Sequence, residues 1–318
     1  MQQDGTSGRA LVPETLTIGI CLILFAMTLI SANDMLVKRL SDTYPLHQIV
    51  FVRSVIGVCF AAAFLRFEGG IRRLRTRQPG LHALRALLLV GANLFFFTGL
   101  ASASLAEATA VFFVFPLVIA LLQWPMLGQA VGPRRLVSIG LGFAGVLVML
   151  APWSNLNSGT PAWALALPVA AAVCYALMHL LTRKLGQETP ASGLALFNQA
   201  AFTVICGAAG LAMGNGRFLS EDANPSLAFL LRPWVWPTPE DWVLFALLGC
   251  AIGLVAYAMA QAYRVADPAT VAPFEYVVLP LAVLWGLVMF GDVPDARTWL
   301  GIALIGGAGV LRRRSKAS

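Results

Sequence analysis

Residues 108–117, ATAVFFVFPL, return in outline 164 positions later as residues 272–281, APFEYVVLPL. The match extends without a gap over residues 101–150 and 265–314, pairing Ala108 with Ala272, Pro116-Leu117 with Pro280-Leu281, and Gly142 with Gly306. It also pairs Ala144-Gly145-Val146 with Ala308-Gly309-Val310. A second offset, 145, lays Lys38-Arg39-Leu40 over Arg183-Lys184-Leu185 and Pro45 over Pro190. Apolar runs of similar composition match by chance, but prolines and glycines at fixed spacing are a firmer sign of an internal repeat.

The runs that carry the repeat are too apolar for a soluble core. Hydrophobic residues make up 58% of the 318 and charged ones 12%, whereas soluble domains carry about 25% charged residues. A bilayer core of about 30 Å takes about 20 apolar residues as a helix. Cutting the chain at its charges, prolines and glycines gives ten candidates: 16–37, 45–66, 81–101, 104–123, 134–151, 162–182, 190–213, 242–263, 268–290 and 297–311. The ASAS stretch at 101–104 is the narrowest cut. The expected fold is an all-α membrane protein of ten transmembrane helices in two five-helix repeats. Because five is odd, the second repeat enters the membrane in the opposite sense, as in inverted-topology secondary transporters. The corresponding divisions are a segment 1–15, a first repeat 16–151, a second repeat 162–311 and a basic tail 312–318.

Loop charges orient the chain, since cytoplasmic loops collect Lys and Arg. With the N-terminus inside, 15 of the 22 basic residues fall on the cytoplasmic side, including Arg66, Arg72, Arg73, Arg75, Arg77, Arg134, Arg135, Arg183 and Lys184. Both termini are then cytoplasmic in a multi-pass membrane protein. The net charge of +7 reflects this placement; no basic stripe points to nucleic acid. The polar first fifteen residues lack a positively charged n-region, so the first run is expected to be a retained helix. The five cysteines sit in apolar runs without CxxC spacing, which argues for packing rather than disulfides or zinc.

Ionisable groups inside spans are costly and therefore expected to face the interior. Asp34 lies about 9 Å from the outer end of the first helix and Arg53 about 12 Å from the outer end of the second, at 1.5 Å per residue. They either pair or jointly face a substrate; the alternative is a surface pairing of Asp34 with Lys38 at i,i+4. The repeat carries Asp34 onto His179 and Arg53 onto Asn198, giving an outer gate of fixed charges and an inner gate of neutral groups. His179 titrates in the physiological range when unperturbed, and Glu275 could partner it; a purely structural histidine is the other reading. Pro116 and Pro280 fall in mid-helix and free the carbonyls of Phe112 and Tyr276, which makes 272–276 a candidate cavity wall. Asn93, Phe95, Phe96, Phe97, Glu107, Tyr175, Gln199, Tyr257 and Gln261 supply aromatic and polar surface for an organic ligand. No nucleotide-cradling loop, metal-ligand cluster or nucleophile elbow is present. No catalytic residue, metal or cofactor is therefore expected, and the chain is not expected to be an enzyme.

The SANDMLVKR stretch at 31–39, Pro45 followed by Phe51-Val52-Arg53, and the paired segments 101–150 and 265–314 together resemble the drug/metabolite transporter superfamily, and within it the EamA-type transporters. SANDMLVK and APFEY are most similar to a branch that includes bacterial S-adenosylmethionine uptake carriers. The family's Gly-Glu after the fourth and ninth helices stands here as Gly128-Gln129 and Gly291-Asp292. The resemblance implies transport of a small organic metabolite, such as an amino acid or an S-adenosylmethionine-like or vitamin-like compound, by alternating access, with proton or ion coupling. An exporter of the same family, and a non-transporting membrane binding protein, are the alternatives.

Overall fold

The computed structural model describes residues 13–74, 76, 78–100, 105–151, 162–219, 229–285, 287–288 and 295–314. Its helices are α1 (Pro13–Leu40), α2 (Leu46–Phe67), α3 (Pro79–Leu100), α4 (Leu105–Phe112), α5 (Phe115–Leu127) and α6 (Pro133–Leu150) in the first half. The second half contains α7 (Ala162–Leu185), α8 (Ala191–Met213), α9 (Pro239–Val265), α10 (Pro268–Val271), α11 (Val278–Trp285) and α12 (Ala296–Arg314). The ASAS connection, Gly291-Asp292 and both chain ends lie outside the described residues, as do the side chains of Lys38 and Glu107.

Proline starts many of these helices, at Pro13, Pro79, Pro133, Pro239 and Pro268, where its fixed φ suits the first turn and its missing N–H costs nothing. Thr238 caps α9 by accepting from the Asp241 amide at 3.2 Å. Gly128 ends α5 in the left-handed region at φ 68°, a conformation glycine adopts without a Cβ penalty. α4 with α5, and α10 with α11, each form one broken span, which gives ten units. Among the described residues nine are long and apolar enough to cross a membrane by length and composition. The tenth, α12, is rich in arginine at its C-terminal end and packs along α6. Outward-facing apolar residues such as Leu121, Val204 and Leu211 (93% exposed) form the surface expected against lipid.

The halves repeat as the sequence offsets require. α1 and α7 end at Leu40 and Leu185, and α2 and α8 follow the extended residues Pro45 and Pro190. Contacts obey the same relation: α3 packs on α7 as α9 packs on α1, and α5 packs on α7 as α11 packs on α1. α2 meets α8, its own counterpart, and α6 meets α12. Such pairings are those of two five-span repeats related by a pseudo-two-fold axis. Glycine permits the closest crossings. A Cβ on Gly145 would lie 2.9 Å from the Gly301 carbonyl oxygen, and one on Gly249 would lie 2.4 Å from Ile56 of α2.

The repeated prolines mark breaks in the spans rather than kinks within continuous helices. α4 stops at Phe112 and α5 restarts with Pro116 in its first turn. In the second half α10 passes into a 3₁₀ turn at Ala272–Val277, and α11 begins at Val278 with Pro280 as its third residue. The reason is that proline fits a first turn but cannot accept an interior position without losing a hydrogen bond. The two breaks meet: the Tyr276 hydroxyl donates to the Phe113 carbonyl at 3.3 Å. A carbonyl bared by an interrupted span thereby finds a donor, as an apolar surrounding demands.

Candidate functional site

Around these breaks lies a cavity of about 670 Å³. Phe112, Phe113 and Phe115 from the first break form an aromatic wall with Phe96 of α3 and Tyr175 of α7, and Glu275 comes from the second break. The rings interlock, with Phe112 and Tyr175 centroids 5.4 Å apart and Phe115 edge-on to Tyr175 at 4.9 Å. The cavity runs past Asp34 to Leu150 and Thr298, at the end of the bundle opposite the basic loops. There Asp295, just before α12, accepts from the Thr298 amide at 2.8 Å and its hydroxyl at 2.6 Å. The Thr298 hydrogen bonds hold the Asp295 carboxyl below its ordinary range.

A second, more polar compartment of about 230 Å³ adjoins it and shares Ile30, Asp34 and Tyr175. It is lined by Arg53, Arg85, Asn93, His179, Thr182 and Asn198 among others. Arg53 donates to the Asn33 amide oxygen at 3.3 Å, and the Asn33 amide donates to Asp34 at 3.1 Å. Asp34 and Arg53 are thus linked through Asn33, and the Asp34 carboxylate stays open to both compartments. His179 Nε2 lies 3.8 Å from Glu275 Oε1, beyond hydrogen-bond reach, and its ring stacks on Tyr263 at 3.7 Å. The Glu275 carboxylate accepts from the Tyr175 hydroxyl at 3.0 Å and from the Tyr263 hydroxyl. Two phenols therefore fix it at the junction of α7, α9 and the 3₁₀ turn.

The expected outer and inner gates do not separate. Asp34, Arg53, His179 and Asn198 line one compartment, because α1 and α7 cross the same space in opposite senses and each presents the residue six positions before its last one to it. Two carboxylate networks lie further out. At the basic end, Glu68 after α2 accepts from the Ser192 amide at 3.2 Å, the Ser192 hydroxyl and the Tyr257 hydroxyl at 2.9 Å. Asp267 between α9 and α10 accepts from Arg135 at 2.8 Å, from the Gln123 amide and from the Thr270 hydroxyl. The Gln123 carbonyl in turn accepts from the Ala269 amide at 2.9 Å.

Several sequence candidates take other roles. Tyr257 stacks on Phe64 at 4.7 Å and donates to Glu68; it lines neither compartment. Tyr276 is fully buried, with its ring in the space left by Gly142. Asn93 lines the polar compartment while its amide donates to the Leu89 carbonyl at 3.0 Å. Gln199 bonds the Ile252 carbonyl at 3.2 Å. Arg85 and Thr182 in the polar compartment, Tyr263 on Glu275, and Glu68 and Asp267 at the basic end are polar positions that sequence pattern did not single out. Arg85 had a signal, as an arginine within a span, whereas Glu68 and Asp267 read as ordinary loop carboxylates. Among the described residues no group of three His, Cys, Asp or Glu side chains could hold a metal ion.

Comparison with known proteins agrees with this geometry. A crystal structure overlays on 94% of this chain and 96% of its own with a TM-score of 0.72 at 22% identity, a likeness of fold. A riboflavin transporter of Brucella anthropi is 30% identical over 84% of this chain and 87% of its own length. An S-adenosylmethionine uptake transporter of Rickettsia prowazekii is 24% identical over 90% of this chain and 89% of its own. The model of the EamA-like transporter family matches residues 17–151, the half that ends with α6. With two broken, inverted five-span halves closing around an aromatic cavity, and a relative of this similarity over most of its length, the chain belongs to the EamA-like transporter family.

Proposed function

We propose that this protein is a secondary transporter that moves a small organic metabolite carrying a flat ring across the bacterial inner membrane by alternating access. The observation that carries this reading is the aromatic cavity, which reaches the far end of the bundle while carboxylate networks close the basic end. Its volume of about 670 Å³ falls within the range of organic-ligand sites, and aromatic walls with a few polar groups suit a conjugated ring. The relatives named for riboflavin and S-adenosylmethionine both handle compounds with fused heteroaromatic rings.

The basic end is taken as cytoplasmic, with both termini there, and the segments 16–151 and 162–311 as the two halves that rock against each other. In the arrangement described here the site faces the opposite side. Exposing it to the cytoplasm requires Glu68 to release Ser192 and Tyr257, and Asp267 to release Gln123 and Arg135. Asp34, Arg53, Asn93, Tyr175, His179 and Asn198 are the substrate-contacting candidates. Glu275, beside His179 and held by two phenols, is the candidate for contact with a cationic group or for proton coupling.

Uptake of riboflavin and of S-adenosylmethionine into proteoliposomes, with and without a pH gradient, tests the reading. At least one compound is expected to accumulate saturably and to stabilise the solubilised protein against heat, because a ligand bound only by the folded state raises its stability. Glu275→Gln is expected to lower the uptake rate on the order of tenfold, equivalent to about 1.4 kcal/mol, and to flatten its pH dependence. Unchanged rate and pH profile would remove Glu275 from the mechanism. Failure of every ring compound to bind or move would overturn the proposed substrate class.

A further inference from the structure

Arg85 is 1% exposed, near the start of α3 and deep between α7 and α8. Its NH1 donates to the Thr182 hydroxyl at 3.1 Å and its NH2 to the Leu194 carbonyl. Both partners are neutral, and its Nε has no partner. The salt bridges found among the described residues are Arg135 with Asp267 and His179 with Glu275, so none includes Arg85. Arginine cannot relieve a buried charge by losing its proton. An isolated charge at membrane depth is strongly disfavoured unless something neutralises it. The same compartment holds Arg53, whose Nε is likewise without a partner and whose link to Asp34 passes through Asn33. Here a buried guanidinium sits against a void with donor capacity left over.

We infer that Arg85, with Arg53 across the polar compartment, is the subsite for an anionic group, carboxylate or phosphate, of the transported molecule. The inference rests on the aromatic cavity being the ring's site, because the two compartments join at Ile30, Asp34 and Tyr175. A ring against Phe112 and Tyr175 leaves an attached acidic arm directed toward the arginines. A planar guanidinium fork suits both carboxylate and phosphate. Asp34, lying between the compartments, would meet an ammonium group on the same arm, so an amino-acid-like tail would find a carboxylate and a cation site together.

The test is thermal unfolding and equilibrium binding on the full-length protein in detergent, with two matched pairs of ligands. The pairs are riboflavin 5′-phosphate against riboflavin, and an adenosine thioether bearing an amino-acid tail against the same thioether ending in methyl. Acetate, phosphate and chloride are added alone as a third arm. The acidic member of at least one pair is expected to bind on the order of tenfold or more tighter, the size of a charge-assisted hydrogen bond. Arg85→Gln should abolish that preference while leaving the neutral member's affinity within about twofold, and Arg85→Lys should restore part of it. Equal affinity within both pairs, or a preference unchanged in Arg85→Gln, overturns the inference. If no ring compound binds, the proposed substrate class fails, and the small anions then decide the subsite. Stabilisation by acetate or phosphate that is lost in Arg85→Gln supports it; no stabilisation, or stabilisation by chloride alone, overturns it. Should Arg85→Gln not fold, the wild-type pairs decide: a preference for the acidic member supports the subsite, and equal affinity overturns it.

Discussion

The two ends of the bundle are held in different ways. At the basic end, Glu68 and Asp267 collect donors from helices on several sides, so that α2, α5, α6, α8, α9 and α10 are tied together there. At the far end the polar ties concentrate on the approach to α9. The Tyr44 hydroxyl donates to Asp241 at 2.7 Å, the Gln48 amide to the Val235 carbonyl at 2.6 Å, and Arg232 to the carbonyls of Ser41 and Asp42 at 2.9 and 2.6 Å. One further tie, from the Trp285 indole to the Ser31 hydroxyl at 2.6 Å, joins α11 to α1. The remaining side, lined by Leu150 of α6 and Thr298 of α12, is where the cavity extends. A carboxylate can gather several donors at once and a neutral carbonyl fewer. The Glu68 and Asp267 carboxylates thus reach helices on several sides, whereas Asp241 at the far end gathers the Tyr44 and Thr238 hydroxyls beside α9.

Removing a carboxylate from the closed end should have the largest effect on stability. Asp267→Ala removes the carboxylate that accepts from the fully buried Gln123 amide. The contribution of Arg135, whose side chain is 41% exposed, is discounted for solvent screening. A loss of about 3 kcal/mol is expected, read as a fall in the unfolding midpoint in detergent. A loss well under about 1 kcal/mol would show that the basic end is held mainly by packing.

Packing toward the far end is tested by Gly249→Val. Its new Cβ would lie 2.4 Å from Ile56, and overpacking at such a crossing costs about 1–3 kcal/mol. A neutral result would mean that α2 and α9 are free to slide apart there. Smaller still is Tyr44→Phe, which deletes one hydrogen bond to Asp241 for about 1 kcal/mol; a change as large as that of Asp267→Ala would erase the contrast between the ends. The double variant Asp267→Ala with Tyr44→Phe should be additive within about 0.5 kcal/mol, since the two networks share no residue. Clear non-additivity would show the ends to be coupled already in this state.

The repeat was legible because it is written in residues with few substitutes. Pro45 and Pro190 precede helices, Pro116 and Pro280 restart broken ones, and Gly145 meets Gly301 where a larger residue would collide. Spacing alone could not show that Pro116 and Pro280 sit in first turns. The distinction depends on whether the preceding helix continues, and tertiary contact at Phe113 and Tyr276 decides that. The site was legible in part for a similar reason. Asp34, Arg53, His179 and Glu275 stood out because ionisable groups are rare in lipid-spanning runs, and all of them line the two compartments.

Hydropathy, odd helix number and proline spacing follow from local chemistry and the thickness of a bilayer. The all-helical membrane class, the two inverted halves and the repeated prolines were therefore written in the chain itself. Which polar groups share a cavity, which bind one another at the ends, and which stay unpaired depend on how the spans cross. Folding in three dimensions brought Asp34 and His179 to one compartment, moved Tyr257 and Tyr276 out of it, and left Arg85 buried among neutral partners. Helical periodicity fixes the face on which a residue lies but not the partner opposite, and that partner decides whether a buried charge is neutralised or awaits a ligand.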